Sequence, residues 1–189
     1  MDVLIIQLII TVLVCGFADT LHDDLARARA LRPDASVIAC NNAASAVKAF
    51  AIFSTHCRRG KLDIWASAQR NYFGGDFEVH SHGYANFDKL QAAYPYVDYW
   101  WIDAKGVGTS AWSAVKMARQ MGFSEMILCG APIERRPYAN KTMANDFRHA
   151  EVLKIYRDYI RKDIMWHKGV YSMSGWTRKL FGEPSGHRA

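Results

Sequence analysis

The sequence predicts an α/β domain of Rossmann-like type, three layers deep, with a mostly parallel central sheet. Three observations carry this expectation. Short, continuous β-branched runs read as strands covered on both faces. Stretches with apolar residues at helical spacing lie between them, as in a parallel sheet wrapped by helices. Glycine-rich or polar turns follow several of the strands, at the edge where such folds hold ligands.

The chain has 189 residues, half of them hydrophobic and 22% charged. That suits one packed globule better than a disordered chain. Residues 1–182 are expected to form a single Rossmann-like domain, and 183–189 a frayed tail.

The elements follow in order. Ile9 to Cys15 is a buried strand, broken by Gly16-Phe17-Ala18-Asp19-Thr20, and Asp19 or Thr20 is placed to cap a helix over Leu21 to Leu31. Pro33-Asp34 ends that helix and Ser36 to Cys40 is a second strand. The Ala-rich stretch Ala43 to Phe50 predicts a helix, and Phe53-Ser54-Thr55-His56 a third strand with a polar tip. A helix over Leu62 to Arg70, a strand over Phe77 to His80 and an edge strand over Val97 to Ile102 complete the middle. Gly106-Val107-Gly108-Thr109-Ser110 opens a helix from Ala111 to Met121, and Glu125 to Gly130 is a buried strand leaving through glycine. A polar loop over Ala131 to Asn145 precedes an amphipathic helix from Asp146 to Ile160 and a last segment from Val170 to Phe181.

A net charge of +6 and a pI of about 9.2 favour anionic partners. A nucleotide-based small molecule is the first expectation, with nucleic acid left possible by the charge and a homo-oligomer left open. The positive residues are spread along the chain, and no zinc-finger spacing marks a nucleic-acid module. Cys15, Cys40, Cys57 and Cys129 show no CxxC pairing and read as buried free thiols in a reducing compartment. Val3 to Val14 is apolar but has no positive residue before it, and it is too short to span a bilayer. A cytoplasmic protein without a membrane segment is expected.

The Gly108-Thr109-Ser110 turn is the sharpest local signal. A helix start with glycine and hydroxyl residues presents N–H groups and O–H groups to an anion. Arg135, Arg136 and Lys141 are placed to clamp phosphate oxygens from a loop. His56, His80, His82 and His149 are imidazoles available as a general base; His56 is the favoured one, at the end of the third strand, and His149 the second. His80-Ser81-His82 sends two imidazoles to one face if extended, which would suit a metal only with further ligands. Asp19, Asp103 and Glu134 are the carboxylates open to a divalent metal, none in a recognisable metal motif.

Several pieces in this order resemble one family. It joins the bacterial sialyltransferases of glycosyltransferase family 42 with the MptE-like hydroxymethylpterin pyrophosphokinase proteins and phage-encoded relatives. The family's first strand ends in a Gly-Asn-Gly-Pro-Ser-Leu turn, matched here by Gly16 to Leu21. Its second strand ends in an asparagine, matched by Asn41. A later Gly-(Ser/Thr)-Ser-Gly turn leads through a helix into a strand ending in glycine, matched by Gly108-Thr109-Ser110-Ala111 and Gly122 to Gly130. Thr55-His56 and Ser174 to Phe181 are also similar to phage relatives.

The resemblance implies a nucleotide-dependent, glycosyltransferase-like enzyme whose donor is a nucleotide sugar or other nucleotide-activated group. Gly16, Asn41, Thr109, Ser110 and Gly130 would line the nucleotide pocket, with Gly108 and Asp19 beside them. Two departures stand out. Phe17-Ala18-Asp19 replaces the family's second glycine and its Pro-Ser, and the carboxylate is expected to cap the helix. Gly130-Ala131-Pro132 replaces the usual Gly-x-Asp. The alternatives are a diphosphokinase using ATP and Mg, and a non-catalytic nucleotide- or nucleic-acid-binding module.

Overall fold

The computed structural model of the chain describes residues 10–56, 61–83, 87–101, 109–136, 139 and 149–186. The first half of the described chain runs β1 (Thr11–Cys15), α1 (Leu21–Leu31), β2 (Ser36–Cys40), β3 (Ala51–Ser54), α2 (Leu62–Phe73), β4 (Glu78–His82), α3 (Phe87–Ala93) and β5 (Tyr99–Trp101). It continues through α4 (Ser110–Gln120), β6 (Glu125–Cys129), α5 (His149–Lys162), β7 (Val170–Ser172) and α6 (Gly175–Phe181).

The seven strands form one sheet in the order β5-β4-β3-β2-β1-β6-β7, every neighbouring pair parallel. Parallel neighbours need crossovers, and the helices that supply them cover both faces of the sheet. Alternate side chains of each strand therefore enter different cores. Leu13, Cys15, Val37, Ala39, Ile52 and Ile127 meet α1 and α2 on one side. Val12, Val14, Ile38, Phe53, Met126 and Leu128 meet α4, α5 and α6 on the other. Both sides being buried is why β1, β2 and β6 read as unbroken apolar runs.

The chain builds outward from β1 to β5, then returns across the sheet through α4 and adds β6 on the far side of β1. The helices that follow β1 and β6 consequently lie on opposite faces. This is the topological switch point, where the strands' carboxyl ends face a crevice in open α/β sheets.

Three sequence expectations are corrected here. The helix expected over Ala43 to Phe50 is only a 3₁₀ turn, Asn41–Ser45, followed by an irregular link. The link must reach β3 from the carboxyl end of β2 within a few residues, and Phe50 already donates its N–H to Val37 O. Its polar backbone is satisfied from α2 instead. The fully buried Gln69 amide, oriented to suit its neighbours, donates to the Val47 and Ala44 carbonyls and accepts from Ala49 N–H.

A short helix, α3, also occupies the stretch before β5, where no element was expected. Finally, α1 has no side-chain cap: Thr20 is the N-cap residue but does not accept from the first turn, and Asp19 is paired elsewhere. Cys15, Cys40 and Cys129 are buried free thiols as expected, while Cys57 lies outside the described residues. Burial raises the Cys40 thiol well above its ordinary pKa. Among the described residues no helix is long and apolar enough to cross a membrane.

Candidate functional site

At the carboxyl ends of β2 and β3 the chain places an asparagine, three hydroxyls and a helix start together. Asn41 takes a left-handed backbone conformation, φ 54°, as it leaves β2; asparagine tolerates this region better than most residues. The turn directs its amide across the edge. Asn41 Nδ2 donates to Ser110 Oγ at 3.0 Å, and Asn41 Oδ1 accepts from Ser54 Oγ at 2.8 Å. Thr55 Oγ1 stands 3.1 Å from Ser110 Oγ. The next residue is fixed as well, since Asn42 Oδ1 accepts from the Trp65 indole of α2 at 2.6 Å.

Two expected residues, Asn41 and Ser110, are thus joined directly, and Thr109 caps the same helix. Thr109 has extended backbone geometry and its Oγ1 accepts from Trp112 N–H. The first N–H groups of any α-helix have no acceptor within the helix, so α4 begins with donors facing this edge. Ser54 and Thr55 were visible in the sequence only as the polar tip of a strand. Gly108 lies outside the described residues.

The second part of the edge is the switch point itself. The β1–β6 ladder continues past both strands, with Gly16 N–H donating to Cys129 O at 2.8 Å and Ala18 N–H to Gly130 O at 3.0 Å. The turns touch so closely that a Cβ on Gly16 would stand 2.6 Å from Gly130 O, and one on Gly130 2.7 Å from Gly16 O. Gly130 also has φ +61°, which favours glycine. Both glycines therefore have a backbone packing reason alongside any contact with a ligand.

Asp24 of α1, which the sequence shows only as a first-turn acid, organises this region. It is 1% exposed. Its Oδ2 accepts from Gly130 N–H at 2.9 Å, Ser174 Oγ at 2.5 Å and Thr20 Oγ1 at 3.0 Å, and its Oδ1 from Arg27 at 3.0 Å. One carboxylate so ties α1 to the turns after β6 and β7. Beside it opens a groove of about 630 Å³, lined by Thr20, Asp23, Arg27, Arg136, Ser174 and Arg178 among others.

Of the three expected phosphate clamps, the two described ones diverge. Arg136 lies 3.4 Å from Asp19 and 3.8 Å from Glu134, so it bridges two of the acids considered for a metal. Arg135 instead lines a second groove, against α5. The third clamp residue, Lys141, and the third acid, Asp103, lie outside the described residues, as do all of residues 140–148.

Of the histidines, His56 is exposed just beyond β3, and its backbone N–H donates to Ser54 Oγ at 3.0 Å. That puts it next to the Asn41–Ser110 cluster. His149 begins α5, with its side chain outside the description. His80 departs from the metal expectation: it is fully buried, with Nε2 2.8 Å from Glu78 Oε2 and Nδ1 accepting from the Trp101 indole at 2.9 Å. Both ring nitrogens are engaged, which leaves no lone pair for a metal. Burial lowers its pKa, opposed by Glu78.

Comparison with known proteins bears on the fold. No family model matches the sequence, and no curated protein matches it. Among solved structures, the chain is similar to the crystal structure of the sialyltransferase CST-II in complex with trisaccharide acceptor and CMP. The TM-score is 0.62 at 14% identity, over 93% of this chain and 86% of that one. At that identity the likeness establishes a shared three-layer α/β fold.

Proposed function

We propose that the chain is a nucleotide-dependent transferase of glycosyltransferase type, which binds a nucleotide-activated sugar at the carboxyl ends of β1, β2 and β3. The observation that carries this reading is the Asn41–Ser54–Thr55–Ser110 cluster at the start of α4. It offers an amide, three hydroxyls and the start of a helix at one place, on an architecture shared with an enzyme solved with CMP. Hydroxyls both donate and accept, so the cluster can meet a ribose or phosphate without carrying charge of its own. The helix start stabilises the phosphate, whose negative charge grows as the bond to the sugar breaks.

In the reaction, an acceptor hydroxyl oxygen attacks the anomeric carbon, the carbon–oxygen bond to the nucleotide phosphate breaks, and the acceptor's proton passes to a base. The electron pair of the broken bond leaves with the phosphate. We assign the base to His56, beside the cluster, with His149 as the second candidate. Thr109 and Ser110 would hold the departing phosphate, and Gly16, Asp19 and Gly130 would border the pocket on the β1 side.

A thermal-shift screen over nucleotides and nucleotide sugars, with and without magnesium, tests this. Stabilisation by CMP or a CMP-sugar in the presence of EDTA is the expected result; at a hundred times Kd it amounts to about 2.7 kcal/mol. A shift seen only with ATP and magnesium would replace this reading with the diphosphokinase. Salt-dependent binding of DNA or RNA with no nucleotide response would favour a binding module.

A further inference from the structure

The sequence expectation of an arginine clamp is only half absorbed by the site above, because Arg135 turns away from it. It lines a groove of about 350 Å³ with Lys154, Arg157, Asp158 and Arg161 of α5. On α5 these residues stand at helical spacing, so they share one face over two turns, roughly 10 Å end to end. Among the described residues of α5, three positive side chains share the groove with one negative one, and that acid is already engaged, with Arg161 3.2 Å from Asp158. We propose that this groove is a second anion site, built to take a phosphomonoester.

Two of the cations are held in place before any ligand arrives. Arg157 donates through Nε and Nη2 to the Ile133 carbonyl, at 2.9 and 2.7 Å. Its guanidinium lies 5.5 Å from the centre of the Trp176 ring, and that of Arg161 lies 5.2 Å from the same ring. One indole therefore carries two guanidinium groups, which cation–π attraction keeps side by side despite their like charge. Grouping them costs repulsion, and an oxyanion between them would relieve it. Ile133, whose carbonyl anchors Arg157, has a left-handed φ of 47°. Such geometry is strained in a β-branched residue and persists only where its surroundings hold it.

Charge selects the ligand class. Among the described residues of α5 that line the groove, Lys154, Arg157 and Arg161 outweigh Asp158 by two positive charges. A phosphomonoester brings about −1.5 to −2 charges and three acceptor oxygens, whereas a carboxylate brings one charge. Guanidinium forks suit such oxygens. Single-stranded nucleic acid fits less well, since it uses open aromatic faces for stacking. The aromatic ring here, Trp176, is 8% exposed and covered by the two arginines. None of the groove's residues belongs to the Asn41–Ser110 cluster, so the site stands independently of the transferase reading.

The test is calorimetric titration of the full chain with inorganic phosphate, glucose 6-phosphate, glucose and acetate, on wild type and on Lys154→Ala/Arg161→Ala. Both substituted side chains are exposed, so melting is expected to change little; should the double variant melt early, Lys154→Glu alone carries the comparison. Both phosphates should bind wild type and weaken by about tenfold in the variant. Glucose and acetate should not bind, and any CMP affinity should be unchanged. A stronger response to glucose 6-phosphate than to phosphate identifies a sugar phosphate, and the reverse identifies free phosphate. Absent phosphate binding, equal affinity in the variant, or acetate binding as well as phosphate would overturn the proposal. So would a short single-stranded oligonucleotide that binds more tightly than either phosphate.

Discussion

Gly16 and Gly130 meet backbone to backbone across the switch point, each leaving too little room for a Cβ on the other. A methyl group on Gly16 would fall 2.6 Å from a main-chain carbonyl oxygen, and that oxygen has no flexible side chain to move aside. The turns after β1 and β6 are therefore held in one fixed arrangement. Gly16→Ala and Gly130→Ala should each lower stability by about 1–3 kcal/mol. Gly130→Ala should be the worse, because its φ of +61° adds backbone strain. Urea unfolding of the two variants checks both the size and the order.

Asp24 holds the same region from the helix side. Asp24→Ala would leave the Gly130 N–H and the Ser174 and Thr20 hydroxyls without this acceptor in a buried place. A loss of about 3 kcal/mol is expected. The Arg27 partner is half exposed, so solvent screens the ion pair and Arg27→Ala should cost far less. Comparable losses in the two variants would show that the ion pair, rather than the hydrogen bonds, matters most.

His80 makes stability depend on pH. Its Nδ1 accepts from Trp101, so the ring is neutral with its proton on Nε2 toward Glu78. Burial lowers the folded pKa below the ordinary value of about 6.5. Below that pH the unfolded chain binds the extra proton more readily than the fold does. The contribution is therefore complete above about pH 6.5 and is lost as pH falls toward the folded pKa, by no more than about 1.4 kcal/mol per pH unit. Denaturation at several pH values should show this slope in wild type and a shallower one in His80→Gln.

Much of the fold was legible because two-sided burial leaves an unmistakable trace. Helix α1 and strand β2 were predicted at their observed limits, since Gly16, Pro33 and the apolar runs between them punctuate the chain strongly. The 3₁₀ link after Asn41 was misread because alanine favours helix wherever the connection allows one, and the distance to β3 does not. Helix α3, of seven residues, is too short to show periodicity. In the polar cluster, Thr109 and Ser110 were singled out through turn chemistry and Asn41 through the family resemblance. Ser54, Asp24 and Ser174 were not, because their roles depend on partners 13, 106 and 150 positions away. Lys116 gives the same lesson in the core. It is 3% exposed, beside Tyr159 and Trp166 and paired with Asp163, and nothing near it in sequence announces a buried charge.

The central claim is that the Asn41–Ser110 cluster binds a nucleotide. Calorimetric titration of CMP in EDTA, on wild type and on Ser110→Ala and Asn41→Ala, tests it most directly. Binding by wild type is predicted, weakened about tenfold or more in each variant, which remove a hydroxyl and an amide from the same cluster. No heat from CMP or any other nucleotide, or equal affinity in all three proteins, would contradict it.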